Sequence, residues 1–452
     1  MKRTLLLFGL LAGSLSASGQ WLSRPIQFAR PSNFNLIISA IDANVAWTTV
    51  VEENAVLTGR SRWFARTTDG GQNWLLREVM SPAEFITDFQ ALDANTAWAA
   101  LASSTGTPGV NGKHLLKTTD GGQTWWRGSN LSQFVSTSSF PTYVRFFNAT
   151  EGVTIGETVG GRFEIYTTSN GGGTWVTVPA GNIPAAQSGE IIYRGRPRIA
   201  LAGTSVWFTT NLGRVFYSAN AGQNWAVSDP GLFPDDVQAM AFRDARNGLI
   251  VCSAGSLLRT GDGGVSWTFV QPTGAYRGVG LDAVPGTRTY VATGFASLST
   301  SPGSGAGSSY STDDGQTWTP LETNLNHALV DFVSPTVGWS AALTVDTSGF
   351  IVGGTGMNKY SGPALATARL QTLAVQVMPN PSADGQFRLH LPAGPAAELR
   401  VHDALGRLLL TRQLPASPGA PVTLDLSPYR AGVYTLDVRS AAGEARHKLV
   451  IQ

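Results

Sequence analysis

Six amide or carboxylate side chains recur in one local setting. Asp69, Asp120, Asn170, Asn220, Asp262 and Asp313 each stand two positions after a Ser or Thr. Each precedes a tryptophan by five: Trp74, Trp125, Trp175, Trp225, Trp267 and Trp318, with a Gly between. Carboxylates at a fixed spacing could serve as general acids or bases, or could hold calcium. Calcium loops of the EF-hand kind need more acidic positions and a terminal Glu, which these strings lack. A hairpin turn accounts for the pattern without chemistry. The Asp or Asn head accepts N–H bonds from the turn after it, and Gly relieves a positive φ. The Ser or Thr hydroxyl ties the turn further, and Trp covers the hairpin while its indole N–H finds a partner. The six strings are therefore read as structural staples.

Other residues could carry chemistry. Asp235-Asp236, Glu52-Glu53 and Asp88 could place two carboxylates near a sugar, as glycosidases require. Nothing in their spacing brings any two together. Asp313-Asp314 belongs partly to the sixth string, so the structural reading covers it. Arg24 and the run Arg194-Gly195-Arg196-Pro197-Arg198 read as surface or strand-edge arginines. His114, His327, His390, His402 and His447 are isolated from one another. No HExxH, CxxC, GxSxG or phosphate-binding glycine loop is present, so no metal or cofactor is expected. Cys252, the single cysteine, lies in an apolar run and reads as a small buried hydrophobe.

The elements that position these residues are short strands. Successive tryptophans of the six strings lie 51, 50, 50, 42 and 51 residues apart. A period of that length marks a supersecondary unit repeated in space. The second unit is the clearest: a strand over Phe85–Leu92, a turn at Asp93–Thr96, a strand over Ala97–Leu101, a Gly/Ser/Thr loop over Ser103–Gly112, and a strand over Lys113–Thr119. The Asp-Gly-Gly-Gln turn comes next, and Trp125 is expected to open a fourth strand. First strands are expected to start near Phe34, Phe85, Pro141, Arg196, Asp236, Arg277 and Leu329, one more than the number of strings. The last unit has strands at Val330–Ser334, Trp339–Thr344 and Phe350–Tyr360 but no string and no fourth strand. Gln20–Pro25 is like the stretch at the end of each string, for example Trp74-Leu75-Leu76-Arg77. The N-terminal strand is therefore expected to complete the last unit and remove an open edge. The fold class is all-β: a closed seven-unit ring over residues 20–360, then a linker over 361–372 and a small β-sandwich over 373–452.

The six strings resemble the Asp box, or bacterial neuraminidase repeat, of β-propellers. The stretches Ile41–Trp47, Leu92–Trp98 and Phe332–Trp339, each an apolar strand, a polar turn and Gly/Ala-Trp, are similar to repeats of photosystem II stability and assembly factor-like propellers. That resemblance implies box turns on the rim, between third and fourth strands and away from the ligand-binding central face. Sialidases of this class also need an arginine triad, a Tyr–Glu pair, an Asp and an early Arg-Ile-Pro. Here Ser23-Arg24-Pro25-Ile26 has the wrong order and Arg194–Arg198 comes too late. Loops Glu52–Arg62, Ser103–Gly112, Gly128–Phe140, Asp229–Asp236 and Ala296–Ser309, with Phe134, Phe233 and Phe295 at or near their ends, are the expected binding loops.

The tail resembles the type A C-terminal sorting domain of the type IX (Por) secretion system. The resemblance rests on Val377-Met378-Pro379-Asn380-Pro381-Ser382, on Gly385 and Phe387, and on Val401–Arg407 with Gly406. Leu424–Ser427, Ala431-Gly432-Val433-Tyr434 and Lys448–Ile451 complete it. It implies the type IX machinery as a partner and passage across the outer membrane. Residues 1–19, with Lys2 and Arg3, an apolar Leu5–Leu11 and Ala17-Ser18-Gly19, read as a secretory signal. No later apolar run is long enough for a transmembrane helix. A net charge of +2 with no basic stripe excludes nucleic acid as an expected partner. The expected function is an exported, monomeric, non-catalytic module that binds a protein or glycan; a glycan hydrolase with carboxylates on the central face is the alternative.

Overall fold

The computed structural model describes residues 20–452 apart from 31, 52–60, 80–83, 104–113, 129–132, 137, 193–197, 235, 254, 298–302, 366–370, 395, 404–406, 417–420 and 441–442. The expected export signal, Glu52-Glu53, most of the Ser103–Gly112 loop, Arg194–Pro197, Asp235 and Gly406 thus lie outside the described residues. The chain divides into two compact units, Met1–Leu365 and Ala366–Gln452. Among the described residues the one helical turn is a three-residue 3-10 segment, Ala180–Asn182.

The first unit is a succession of antiparallel strand sets. The first holds Phe34–Ala40, Ala46–Val51, Ser61–Thr67 and Leu75–Glu78. The second holds Glu84–Ala91, Ala97–Ser103, His114–Thr118 and Trp126–Arg127, and touches the first through one pairing, Ser61 with Ile86. The next three begin at Pro141–Phe146, Ile199–Ala202 and Val237–Phe242. The sixth runs from Gly280–Ala283 to Thr317–Glu322 and gains a short parallel strand, Thr273–Gly274, that no sequence signal marked. The last contains His327–Ser334, Val337–Val345 and Ile351–Tyr360. Its outer strand is Trp21–Pro25, paired antiparallel with Tyr360 through Gly356.

Second strands such as Ala46–Val51 and Gly248–Cys252 are buried along their whole length. They read as unbroken runs of small and apolar residues because a neighbouring set covers each face. Trp47, Phe64, Ile86 and Phe89 pack between the first and second sets. Trp98, Phe146 and Trp175 do so between the second and third, and Phe163, Phe208 and Phe216 between the third and fourth. Trp207 stacks on Phe242 at 3.6 Å between the fourth and fifth. Leu249, Tyr290 and Trp318 join the fifth to the sixth, and Val291, Phe332 and Trp21 the sixth to the last. Trp339, Met357, Ala46 and Ala65 then join the last set to the first. The contacts close a circuit.

One sequence expectation shifts here. Trp125 does not open the fourth strand of the second set, which is Trp126–Arg127. Trp125 stays in the turn, where its ring meets Phe64 and Phe89 edge-on.

In the second unit, Gln371–Thr372, Gly443–Ile451, Gly432–Ser440, Ala397–His402 and Leu408–Leu414 form one sheet in that spatial order. Gln376–Met378, Gln386–His390 and Val422–Asp425 form another. Both contribute to one core that includes Phe387, Leu389, Leu399, Leu424, Leu436 and Leu449.

Candidate functional site

The box turns are closed hydrogen-bond systems. In the second, the Thr118 hydroxyl donates to Asp120 Oδ1 (2.9 Å) and accepts the Gly122 N–H (2.9 Å). Asp120 Oδ1 also accepts the N–H groups of Gln123 and Thr124, both at 2.9 Å, and Thr124 Oγ1 donates to Oδ2 at 2.5 Å. These bonds, the Thr124 side chain first, hold the Asp120 carboxyl down at about 2. The Asn73 main-chain and side-chain N–H groups do the same for Asp69. Asp262 and Asp313 receive matching bonds from Ser266 and Thr317. Asn170 and Asn220 accept the N–H of Thr174 (2.8 Å) and Asn224 (2.9 Å). A carboxylate engaged in this way has little reactivity to offer.

The tryptophans divide. Trp175 donates to Gly128 O, Trp225 to Gly222 O, Trp267 to Gly264 O and Trp318 to Gly315 O. The buried N–H groups of Trp74 and Trp125 have no acceptor, contrary to the sequence expectation. Both rings serve by packing: Trp74 lies edge-on to Trp339 and Trp125 to Phe64.

The residue after each Asp or Asn adopts a positive φ. It is Gly in four turns but Ala221 (φ 56°) and Asp314 (φ 57°) in the others. Asp314 gains compensation, since Arg243 Nε donates to its Oδ1 at 3.0 Å. Ala221 has none from its methyl group. Ala221→Gly is therefore expected to stabilise the chain by up to about 1 kcal/mol in denaturant melts, the strain relief being partly offset by a freer unfolded chain. A destabilised variant would contradict the strain.

Box turns and first-to-second-strand turns share one end of each set, as Gly70 N to Asn44 O and Gly121 N to Asn95 O record. Neighbouring sets keep this alignment: Arg66 donates to Gly121 O, Lys117 to Gly171 O and Trp207 to Gly263 O.

The innermost strands carry a second, polar layer. Ser39 Oγ accepts the Ala91 N–H (2.9 Å) and Gln90 Oε1 the Phe146 N–H (2.6 Å). Asp282 Oδ2 accepts the Phe332 N–H (2.6 Å), and Asp331 Oδ2 the Ala40 N–H (2.7 Å). Each side chain thus latches its strand to the next set. Arg145, in the third set, pairs with Asp88, whose Oδ2 also accepts the Val144 N–H (2.9 Å). Burial pushes the Asp88 carboxyl up, and Arg145 pulls it back. Asp282 and Asp331 keep a partly exposed surface yet are densely surrounded by protein. Burial pushes Asp331 up to about 6. Burial, reinforced by the Asp331 charge, pushes Asp282 well above the carboxylate range. Sequence reading selected Asp88 and missed Asp282 and Asp331, each a lone Asp within an apolar strand.

A serine, a histidine and a glutamate also meet. His327 Nδ1 lies 2.6 Å from Ser340 Oγ and its Nε2 lies 2.9 Å from Glu322 Oε1. Ser340 and His327 have no exposed surface, so no substrate reaches them. Ser308 Oγ donates to the same Glu322 oxygen and accepts from Trp21 Nε1 (2.9 Å). The network joins Trp21–Pro25 to the sixth set. The other histidines remain separate: His114 is buried in the second set, and His390, His402 and His447 stand in the second unit. Arg24 and Arg198 belong to different sets. Among the described residues no group of three His, Cys, Asp or Glu side chains could hold a metal. Cys252 is buried, and burial pushes its thiol up to about 12.

The end opposite the boxes differs. Val135, Val159, Ile191, Phe233, Leu325, Phe350 and Val352 are exposed there, in second-to-third hairpins or in links between sets, with Phe233 81% and Phe350 70% exposed. Phe134 is not among them. It is 1% exposed and turned inward at φ 53° against Tyr166, which removes it as a binding aromatic. Phe295 packs against Phe34, Val51 and Leu343.

In the second unit, the Tyr434 hydroxyl donates to Arg430 O (2.6 Å), and Gly432 pairs with Ile451. Pro379, Asn380 and Pro381 lie beside Lys448–Val450. Residues 376–452 match the family model of the secretion system C-terminal sorting domain. The tail belongs to that family. The sorting domain indicates export through type IX secretion to the cell surface or beyond, and no described helix is long and apolar enough to cross a membrane. In the first unit, residues 29–195 match the family model of the photosynthesis system II assembly factor YCF48, and residues 309–320 that of the BNR/Asp-box repeat. No curated protein matches. Among solved structures, YCF48 from Cyanidioschyzon merolae is 17% identical, with TM-score 0.48, over 76% of this chain and 99% of its own. YCF48 bound to D1 peptide is 15% identical, with TM-score 0.34, over 76% and 97%. A Trypanosoma rangeli sialidase mutant displaying trans-sialidase activity is 11% identical, with TM-score 0.38, over 92% and 83%.

Proposed function

We propose that this chain is an exported, non-catalytic binding module for a protein or glycan. Residues 20–360 form a seven-bladed propeller closed by Trp21–Pro25, with Asp-box turns as its staples. A linker over 361–372 and a β-sandwich sorting domain over 373–452 come after it. A signal peptide over 1–19 delivers the chain to the periplasm, and the type IX machinery carries the monomer outward. The circuit of contacts between sets and the pairing of Trp21 with Tyr360 support the closed ring. The observation that carries the binding reading is the set of exposed apolar side chains that loops of several strand sets present at the end opposite the boxes, among them Phe233 and Phe350. Loops on a rigid scaffold are where binding concentrates. A glycan array and a hydrolysis screen on the chain from Gln20 are expected to give retention without cleavage. The double variant Phe233→Ala, Phe350→Ala is expected to bind about 10–100-fold more weakly. Undiminished binding would place the ligand elsewhere.

A second reading, a glycan hydrolase, draws on the Asp282 and Asp331 carboxyls, both pushed up by burial, with the Asp331 charge adding to the push on Asp282. Each has an oxygen occupied by a main-chain N–H, which favours the latch over the catalyst. Sugar release that disappears in Asp282→Asn would reverse that choice.

A further inference from the structure

In the sorting domain the strand Gly443–Ile451 has a full neighbour, Gly432–Ser440, on one side only. Two short pieces occupy the other side. Gln371 and Thr372 pair parallel with Gly443 and Glu444. At the opposite end Asn380 Nδ2 donates to Lys448 O (2.6 Å), and Asn380 Oδ1 accepts the Val450 N–H (3.0 Å). In a parallel ladder one residue donates to the carbonyl before its partner and accepts from the N–H after it. The Asn380 side-chain amide makes those two bonds around Leu449, so it takes the place of a peptide group in a parallel strand. Ser382 continues the register with its own backbone. Its N–H reaches Val450 O (2.9 Å) and its carbonyl accepts the Gln452 N–H (3.0 Å), a parallel bridge to Ile451. The Ser382 side chain is buried and donates toward Asp384 Oδ1 and Gln386 O, which anchors the segment to the other sheet. Pro379 and Pro381 flank Asn380 and have no N–H, so their backbone cannot build this ladder. The side chain supplies what the prolines remove.

We propose that Asn380 is the positioning residue of the export signal: it clips residues 448–452 onto the sheet, and the secretion machinery reads the domain with that stretch docked. The inference rests on the sorting reading of the tail. Without the amide, the Lys448 carbonyl and Val450 N–H lose their partners and the strand end frays. A signal docked for a fraction of the time is recognised in proportion to that fraction.

The test uses the full chain in a cell with type IX secretion, carrying Asn380→Ala, Asn380→Asp or a deletion of Ala366–Gln452. Hydrogen exchange is measured on the purified proteins. Asn380→Ala is expected to speed exchange over 448–452 while 399–401 and 436–438 stay protected. Its exported fraction is expected to fall about tenfold, the protein remaining in the periplasm. Asn380→Asp keeps the acceptor for Val450 and loses the donor to Lys448, so an intermediate result is expected in both readouts. Normal export of Asn380→Ala with 448–452 frayed overturns the proposal. Unchanged exchange over 448–452 also overturns it, as does loss of protection throughout the domain, which makes Asn380 a general structural residue. Normal export of the deletion fails the sorting reading itself, a result separate from these.

Discussion

Trp339→Ala is expected to lower the stability of the first unit by about 3–5 kcal/mol, the range for emptying a large aromatic site in a core. Trp339 is fully buried among Ala341, Met357, Ala40, Ala46, Ala65 and Ile26, residues drawn from both ends of the first unit. Its indole N–H donates to Asp42 O (3.2 Å), its ring meets Trp74 edge-on at 6.0 Å, and Lys359 Nζ lies over it at 5.6 Å. The hydrogen bond spans 297 positions of sequence, so in an open array of sets this tryptophan would cap a free end. There its loss would cost much less, because solvent would already cover one face. Urea denaturation monitored by circular dichroism measures the difference, and a loss under about 1 kcal/mol contradicts a buried seam.

Asp331→Asn is expected to stabilise the chain at neutral pH and to flatten its stability against pH. Asp331 is pushed up to about 6, whereas an unfolded Asp titrates near 3.9. The folded state therefore holds its proton more tightly, and stability falls as pH rises from about 4 through 6. Above that window the penalty is constant, on the order of 1–3 kcal/mol after allowance for water at the partly exposed carboxyl. Asparagine keeps a carbonyl oxygen for the Ala40 N–H and removes the charge beside Asp282. The box carboxylates Asp69 and Asp120 act in the opposite sense. Held near 2, they withdraw support when acid protonates them between about 4 and 2. Melting temperatures at pH 5 and 8 should converge in Asp331→Asn relative to the parent. A variant destabilised at pH 8 would contradict a strained carboxyl at this seam.

Much of the scaffold is legible in sequence because its signals are local. The box turns are self-contained over about seven residues, as from Thr118 to Thr124, so spacing alone locates them and the strands on either side. The small-apolar runs with a tryptophan, such as Ala46–Val51 and Ala97–Ser103, announce strands buried on both faces. What sequence could not show depends on distant partners. Asp331 meets Ala40 across 291 positions, and Glu322 reaches His327 only because a chain reversal brings them together. Phe134 reads as a loop aromatic, but a positive φ turns its ring into the core. Thr273–Gly274 adds a parallel strand through two residues, too few for any periodicity. Asn380 reads as one polar residue between prolines until Lys448 and Val450 arrive beside it. The candidate binding face was legible as a set of loops that included Phe233, whereas Phe350 read as the first residue of the last strand and instead stands just before it, exposed.

The ring itself is tested most directly by melting the chain that starts at Gln20 against one that starts at Gln27. Removing Trp21–Ile26 strips the outer strand from Ile351–Tyr360, the Trp21 bond to Ser308 and the buried Ile26. The closed ring predicts a melting temperature lower by roughly 4–7 °C, from about 3–5 kcal/mol lost in a unit of this size. Equal melting temperatures for the two chains would contradict it.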